Sequence, residues 1–410
     1  MSDLARDDAG AGGPAEQGFE ALGLSAPLLA GVHAAGFTAP RPIQARALPA
    51  ALAGRDVLGL ARTGTGKTAA FALPLLEAVR RREPGPAPVG LVLAPTRELA
   101  TQIAAECERL GSALAPRVAL LIGGVKSAAQ EERLAAGADV VVATVGRLLD
   151  HLRTGALSLD RVETLVLDEA DRMVDMGFLP DVQRVLDRLP AERQTMMFSA
   201  TMPESVQALA QRRLREPEII DLGHTMPAET IDHVVVTVRE SAKPKLLRAL
   251  LDEAEGQSVL VFVRTKQRAK SVSYGLQKRG LEVELLHGDK KQGARTRALD
   301  RFRSGEAAVL VATDLASRGL DVEGVGRVLN YDVPTDPDTY VHRIGRTGRA
   351  ERAGVAFTFV APGDLPELRA IEHRIGERIR RAEIPGFAVL DVEELSGDRA
   401  PRRGGRRRRR

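Results

Sequence analysis

Short, almost unbroken apolar runs recur along this chain between longer amphipathic segments, and this alternation constrains its fold more than any other feature. From Asp56 onward DVLGLA is followed by the helical pattern TAAFALPLLEAVRRR, and VGLVLAPT by RELATQIAAECERL. RVALLIGG, ADVVVATV, ETLVLDEA and QTMMFSAT continue the series. Strands apolar on both faces suit a parallel sheet covered by helices on each side; a half-solvated antiparallel sheet would alternate polar and apolar residues. The pattern fails at residues 223–230 (GHTMPAET) and resumes as SVLVFV, VELLHG, AAVLVATD, RVLNYDV and GVAFTFVA, with helical segments at 245–255 and 294–302 between them. The expectation is an α/β protein of two parallel-sheet domains, 19–222 and 231–392, joined by a short linker at 223–230. Residues 1–18, rich in Gly, Ala and Asp, and the Arg-rich residues 393–410 are expected to be disordered.

Composition narrows the function. The single Cys107 excludes an intramolecular disulfide framework and any all-cysteine metal site. Aromatics are 3% of the chain and Trp is absent, so a binding surface of many stacked rings cannot be built. Net charge is +4, yet residues 399–410 hold eight Arg and no acid, which leaves the remainder at −4. The basicity is in the tail, expected to act as a flexible electrostatic tether for polyanions. No run approaches the ~18 apolar residues of a membrane span. The nearest, 21–37, is broken by Pro27 and His33 and preceded by acids, the wrong sign for a secretory leader. The expectation is a cytoplasmic protein with no membrane partner.

Between a strand pattern and a helix pattern lies Ala61-Arg62-Thr63-Gly64-Thr65-Gly66-Lys67-Thr68. Glycines there let backbone N–H groups approach phosphate oxygens, Lys67 supplies charge for the β and γ phosphates, and the Thr68 hydroxyl suits magnesium. Ala61 stands where the general pattern has Gly. Such a loop needs a carboxylate from a neighbouring strand end. Asp168 and Glu169, directly after Leu165-Val166-Leu167, offer one acid for Mg²⁺ and one to activate water.

Taken together, the motifs resemble the DEAD-box RNA helicases of helicase superfamily 2, over about five sixths of the chain from Phe19 to about Phe359. Asp168-Glu169-Ala170-Asp171 is the tetrad that names that family. The resemblance implies two tandem RecA-like domains, ATP and Mg²⁺ as cofactors, and RNA as partner. It assigns Phe19 and Gln44 to the adenine, although spacing alone makes both ordinary core or loop residues. Thr63, Gly64, Thr65, Gly66, Lys67 and Thr68 are assigned to phosphate and metal, and Asp321 to the nucleotide. By the same likeness Ser199, Thr201, Asp171 and His342 couple hydrolysis to unwinding. Pro95, Thr96, Arg97, Gly123, Gly124, Thr144, Gly146 and Arg147 of the first domain, with Arg264, Gln292, Arg295 and Thr313 of the second, face RNA. Val145 replaces the family's usual Pro, which predicts a less rigid turn and a less fixed helix start. Arg346 and Arg349 are candidate arginine fingers; if their segment is helical they share a face.

This layout implies RNA-stimulated ATP hydrolysis in a site completed only when the domains close, with local unwinding of short duplexes or remodelling of RNA–protein complexes. Contacts to phosphate carry no base information, so sequence specificity is expected to be low. Ribosome-assembly or RNA-decay proteins are the partners the resemblance suggests. Two alternatives stay open: a DNA-directed superfamily 2 motor, and a non-enzymatic RNA-binding or annealing protein.

Overall fold

Six of the apolar runs and one further strand become one seven-stranded sheet, and five runs with two further strands become a second. The computed structural model describes residues 18–61, 64–83, 85–222, 231–254, 256–317, 325–348 and 354–387. Residues 1–17 and 393–410 of the expected disordered ends, the linker at 223–230, Thr63, Asp321 and Arg349 lie outside the described residues, while Gly18 is described as the cap of the turn Phe19–Leu22. The chain divides into two units, Met1–His224 and Thr225–Arg410.

In the first unit β1 (Val57–Leu60), β2 (Gly90–Ala94), β3 (Val118–Leu121), β4 (Val140–Thr144), β5 (Thr164–Leu167), β6 (Gln194–Ser199) and β7 (Glu218–Asp221) lie in the order β3-β4-β2-β5-β6-β1-β7. Every pairing is parallel. In β2, Leu91 and Leu93 join one apolar cluster while Val92 and Ala94 join the other. Helices therefore cover both faces, which is why the strands read as continuous apolar runs. Each large aliphatic side chain so buried contributes about 1.5–3 kcal/mol.

The second unit repeats the plan with β8 (Ile231–Thr237), β9 (Val259–Val263), β10 (Val283–Leu286), β11 (Val309–Thr313), β12 (Arg327–Asn330), β13 (Gly354–Val360) and β14 (Arg380–Arg381). Their order, β10-β11-β9-β12-β13-β8-β14, is the first unit's order position for position, again all parallel. Val261 and Val263 face one core, Leu260 and Phe262 the other. Three strands escape the sequence pattern. β7 is a short edge with Ile219 exposed, β8 opens on Asp232 and His233, and β14 consists of two exposed arginines that count as strand only because they pair with β8. Among the described residues no helix is long and apolar enough to cross a membrane.

Candidate functional site

Parallel pairing brings all the carboxyl ends of a sheet to one edge, where ligands of open α/β sheets bind. In the first unit that edge splits into two contiguous halves. The loop at 61–68 follows β1, Ser199-Ala200-Thr201 ends β6, and Asp168 to Asp171 follows β5; these strands are neighbours. Pro95 to Arg97 follows β2, Thr144 to Arg147 follows β4, and Gly123-Gly124 follows β3, the other three neighbours.

The first half is built around a buried cation. Gly64 and Gly66 have φ of 82° and 93°, a region glycine occupies without strain, and Gly66 caps the helix Lys67–Arg80. A Cβ at Gly66 would meet Gln44 Nε2 at 2.6 Å. Gln44, fully buried, donates to the Gly66 carbonyl at 3.0 Å and accepts the Arg41 N–H at 2.9 Å. Arg41 donates to the Gly64 carbonyl, so two residues at the start of the helix Pro42–Leu52 lace the loop. Arg41 was missed by the motif reading; its place beside Gln44 at a helix start was the available signal. Phe19 is buried and meets Phe37 edge-on, ring centroids 6.1 Å apart.

Lys67 is 5% exposed, and its ammonium is buried without a hydrogen-bond partner among the described residues. An unpaired buried cation is costly, and it fits an anion. Burial raises the Asp168 carboxyl to about 6; Lys67 pulls it down, while Glu169 and Asp171 push it up. A buried acid so short of compensating charge fits a cation. The Asp168 carboxylate and the Thr68 hydroxyl are oxygen donors of the kind Mg²⁺ takes, alongside substrate phosphates. Glu169 has φ of 53°, a left-handed conformation rare outside glycine, and its carboxylate pairs with Arg172. Asp171 accepts from the backbone N–H groups of Ala200 (3.1 Å) and Thr201 (2.8 Å).

In the other half, backbone and guanidinium groups interleave. A Cβ at Gly124 would lie 2.2 Å from Arg97 Nη1, so the glycines make room for this arginine. Arg147 donates to the carbonyls of Ile122 (3.2 Å) and Val125 (3.0 Å), on either side of the glycine pair. Gln130 donates to the same Ile122 carbonyl at 3.0 Å, backed by the buried His151 at 3.3 Å. Thr96 caps its helix by accepting the Leu99 N–H. Val145, where the sequence predicts a less fixed helix start, packs into the core. This side chain is buried and is the first residue of the helix Val145–Thr154, so core packing supplies the anchor a proline ring would have given.

The second unit uses equivalent strand ends. Arg264 follows β9, Gln292 opens the helix Gln292–Arg303 after β10, and Thr313 ends β11. Arg264 donates to the Val333 carbonyl at 3.0 Å, and Arg295 to the Ala316 carbonyl at 3.0 Å. The condition under which Arg346 would share a helix face with Arg349 is not met at Arg346. The helix Pro337–Ile344 stops at Gly345, and the Thr347 hydroxyl donates to the Val325 carbonyl at 2.6 Å, turning the chain before another helical turn forms. Arg346 lies beyond the helix, 5% exposed, and His342 is half-buried within it. Arg343, to which the motifs gave no role, makes two bonds to Asp314 and one to the Asp332 carbonyl at 2.7 Å.

Known proteins bear on these sites. The profile of the DEAD/DEAH box helicase family matches residues 41–209, and that of the helicase conserved C-terminal domain matches residues 242–351. The DEAD-box ATP-dependent RNA helicase CshA of Geobacillus kaustophilus is 43% identical over 380 residues, 92% of this chain and 80% of that protein. CshA of Bacillus subtilis is 42% identical over 380 residues, 92% of this chain and 76% of its own. Among solved structures, S. cerevisiae Dbp5 bound to RNA and ADP BeF3 has a TM-score of 0.80 at 34% identity, covering 89% of this chain and 95% of Dbp5.

Proposed function

The chain belongs to the DEAD/DEAH box helicase family as a DEAD-box ATP-dependent RNA helicase, and from that premise we propose which of its residues carry each step. Thr63, Gly64, Thr65, Gly66 and Lys67 bind the phosphates of ATP through backbone N–H groups and the buried ammonium. Gln44 and Phe19 take the adenine, Gln44 giving up its bond to the Gly66 carbonyl as it does so. Thr68 and Asp168 hold Mg²⁺, which when bound neutralises charge on the phosphates. Glu169 leaves Arg172 to accept a proton from the attacking water. Arg346 and Arg349, with Asp321, complete the nucleotide site from the second unit.

The RNA backbone is held by Pro95, Thr96, Arg97, Gly123, Gly124, Thr144, Gly146 and Arg147 in one unit and by Arg264, Gln292, Arg295 and Thr313 in the other. Neither unit alone carries both the phosphate loop and the arginine fingers. Ligands that touch both favour closure, and by linkage each strengthens the other's binding. Asp171, Ser199, Thr201 and His342 transmit closure, and the arginines at the C-terminal end add salt-sensitive RNA affinity. The protein acts in the cytoplasm.

The observation that carries this reading is the unpartnered Lys67 ammonium close enough to Asp168 to lower its pKa. ATP turnover with and without RNA, for the native chain and for Glu169→Gln, tests it. RNA should accelerate the native enzyme, and the variant should lose about 10²–10⁴-fold. Native turnover indifferent to RNA would overturn it.

A further inference from the structure

A ridge of lysines around one exposed tyrosine lies on the second unit outside every motif used above. Along the helix Lys266–Gln277 and its C-cap, Lys266, Lys270, Tyr274 and Lys278 recur every fourth residue, which aligns them on one exposed side over about 18 Å. Tyr274 is 59% exposed, whereas Tyr331 and Tyr340, the other tyrosines, are buried. The Lys278 ammonium stands 4.7 Å from the Tyr274 ring centroid.

A cavity of about 580 Å³ runs beside the ridge, walled by Lys270, Ser273, Tyr274, Gln277 and Lys290. The acids on its other wall, Glu282 and Glu284, both pair with Arg301. Asp289 pairs with Lys266 at 2.8 Å. Lys270 and Lys290 form no side-chain ion pair among the described residues. Burial lowers the pKa of His287, and Lys270, Lys290 and Lys266 lower it further against the pull of Asp289.

Unspent ammonium groups suit phosphates, and an exposed ring between cations suits a base, the two elements by which single strands are held without sequence preference. Lys290 lies two residues before Gln292, so a strand passing Gln292 continues onto the ridge. An acidic polypeptide would satisfy the lysines but leave the ring unstacked.

We propose that Lys270, Tyr274, Lys278 and Lys290 form a second site for single-stranded RNA, taking the nucleotides that extend past the motif contacts by phosphate pairing and one stacked base. The site rests on the RNA-contacting role of Gln292 and its neighbours given above.

The full chain contains no tryptophan, so Tyr274→Trp places a unique reporter on the ridge. Its emission is quenched by an oligomer of about 20 nucleotides and not by one of about 6, too short to fill both sites. Tyr274→Ala weakens binding of the long oligomer by about 5-fold or more. Lys270→Gln lowers the salt slope for that oligomer by about 0.7. Affinity for the short oligomer, and the ATP turnover it stimulates, stay at native values. Equal losses for both lengths, no loss for either, or unchanged emission with long RNA bound would each overturn the proposal. So would an acidic polypeptide that quenches the reporter where long RNA does not, which marks a protein-docking patch. If the native chain binds neither oligomer, the motif assignment fails first and this site fails with it.

Discussion

Asp171 and Thr201 meet across thirty residues of sequence: the carboxylate accepts both the Thr201 hydroxyl at 3.0 Å and its backbone N–H at 2.8 Å. Ser199 closes the joint, its Oγ accepting the Asp171 N–H at 3.2 Å and donating to the Thr201 carbonyl at 2.7 Å. Ser199 also sits opposite Leu60 at the end of β1, the strand that leads to Lys67. A displacement at the acids after β5 is therefore felt at the ends of β6 and β1.

Thr201→Val keeps the shape of the side chain and removes one donor, leaving Asp171 the backbone N–H bonds from Arg172, Ala200 and Thr201. Stability should fall by about 1 kcal/mol. Duplex separation should fall more than ATP turnover; measuring both rates on one RNA substrate checks the difference. Equal losses would place the joint in hydrolysis rather than in its transmission.

Lys67→Met removes a buried cation that forms no hydrogen bond among the described residues. Burying a charge unpaired costs several kcal/mol, so the variant should melt at or above the native temperature without nucleotide. The rise in melting temperature that ATP gives the native chain should vanish. Thermal melts with and without ATP read both effects. A variant that melts well below native without ATP would show that Lys67 supports the fold.

Arg343 is spread over Asp314, Asn330 and the Asp332 carbonyl, with its guanidinium 5.1 Å from the Phe262 ring centroid. A lysine has the charge but not the fork. Arg343→Lys should destabilise the second unit by about 1–3 kcal/mol in urea unfolding, as leaving buried acceptors without their donors does. Asp314→Asn should act in the same direction, and the double variant should lose less than the sum.

His151 gives the first unit a pH dependence. Burial lowers its pKa below 6.5 and Arg147 adds to this, while Glu131 and Asp150 oppose it. As pH falls through 6.5 the unfolded chain binds a proton before the folded one does. The stability His151 contributes is therefore present above 6.5 and lost on acidification toward its folded pKa. His151→Asn should flatten part of the decline in urea stability between pH 7 and 5. His287, lowered in the same sense, supplies a further part in the second unit. A decline of unchanged steepness in the variant would count against this origin.

Much of the architecture was legible because burial on both faces writes itself into a strand: Leu91, Val92 and Leu93 leave no polar position for solvent. The helix start at Lys67 was legible too, since two glycines in sequence announce the turn before it. Strands β7 and β14 were not, because an edge strand is defined by its neighbour rather than by its own side chains. Nor was the end of the helix before Arg346, which depends on Thr347 reaching the carbonyl of Val325, 22 residues earlier. Arg343 carries no local mark of its partner Asp314, 29 residues away.

By itself the amino-acid order determined which residues stand at the ends of the strands buried on both faces, since local apolar patterning and turn chemistry decide where such a strand stops. Which ends become neighbours was decided only by the tertiary structure. β3, β4 and β2 gather one set of motifs, while β5, β6 and β1 gather the other. Parallel strands pair through crossovers that pass over the sheet, so their order is settled by long-range packing of helices on both faces, and no stretch of sequence contains it.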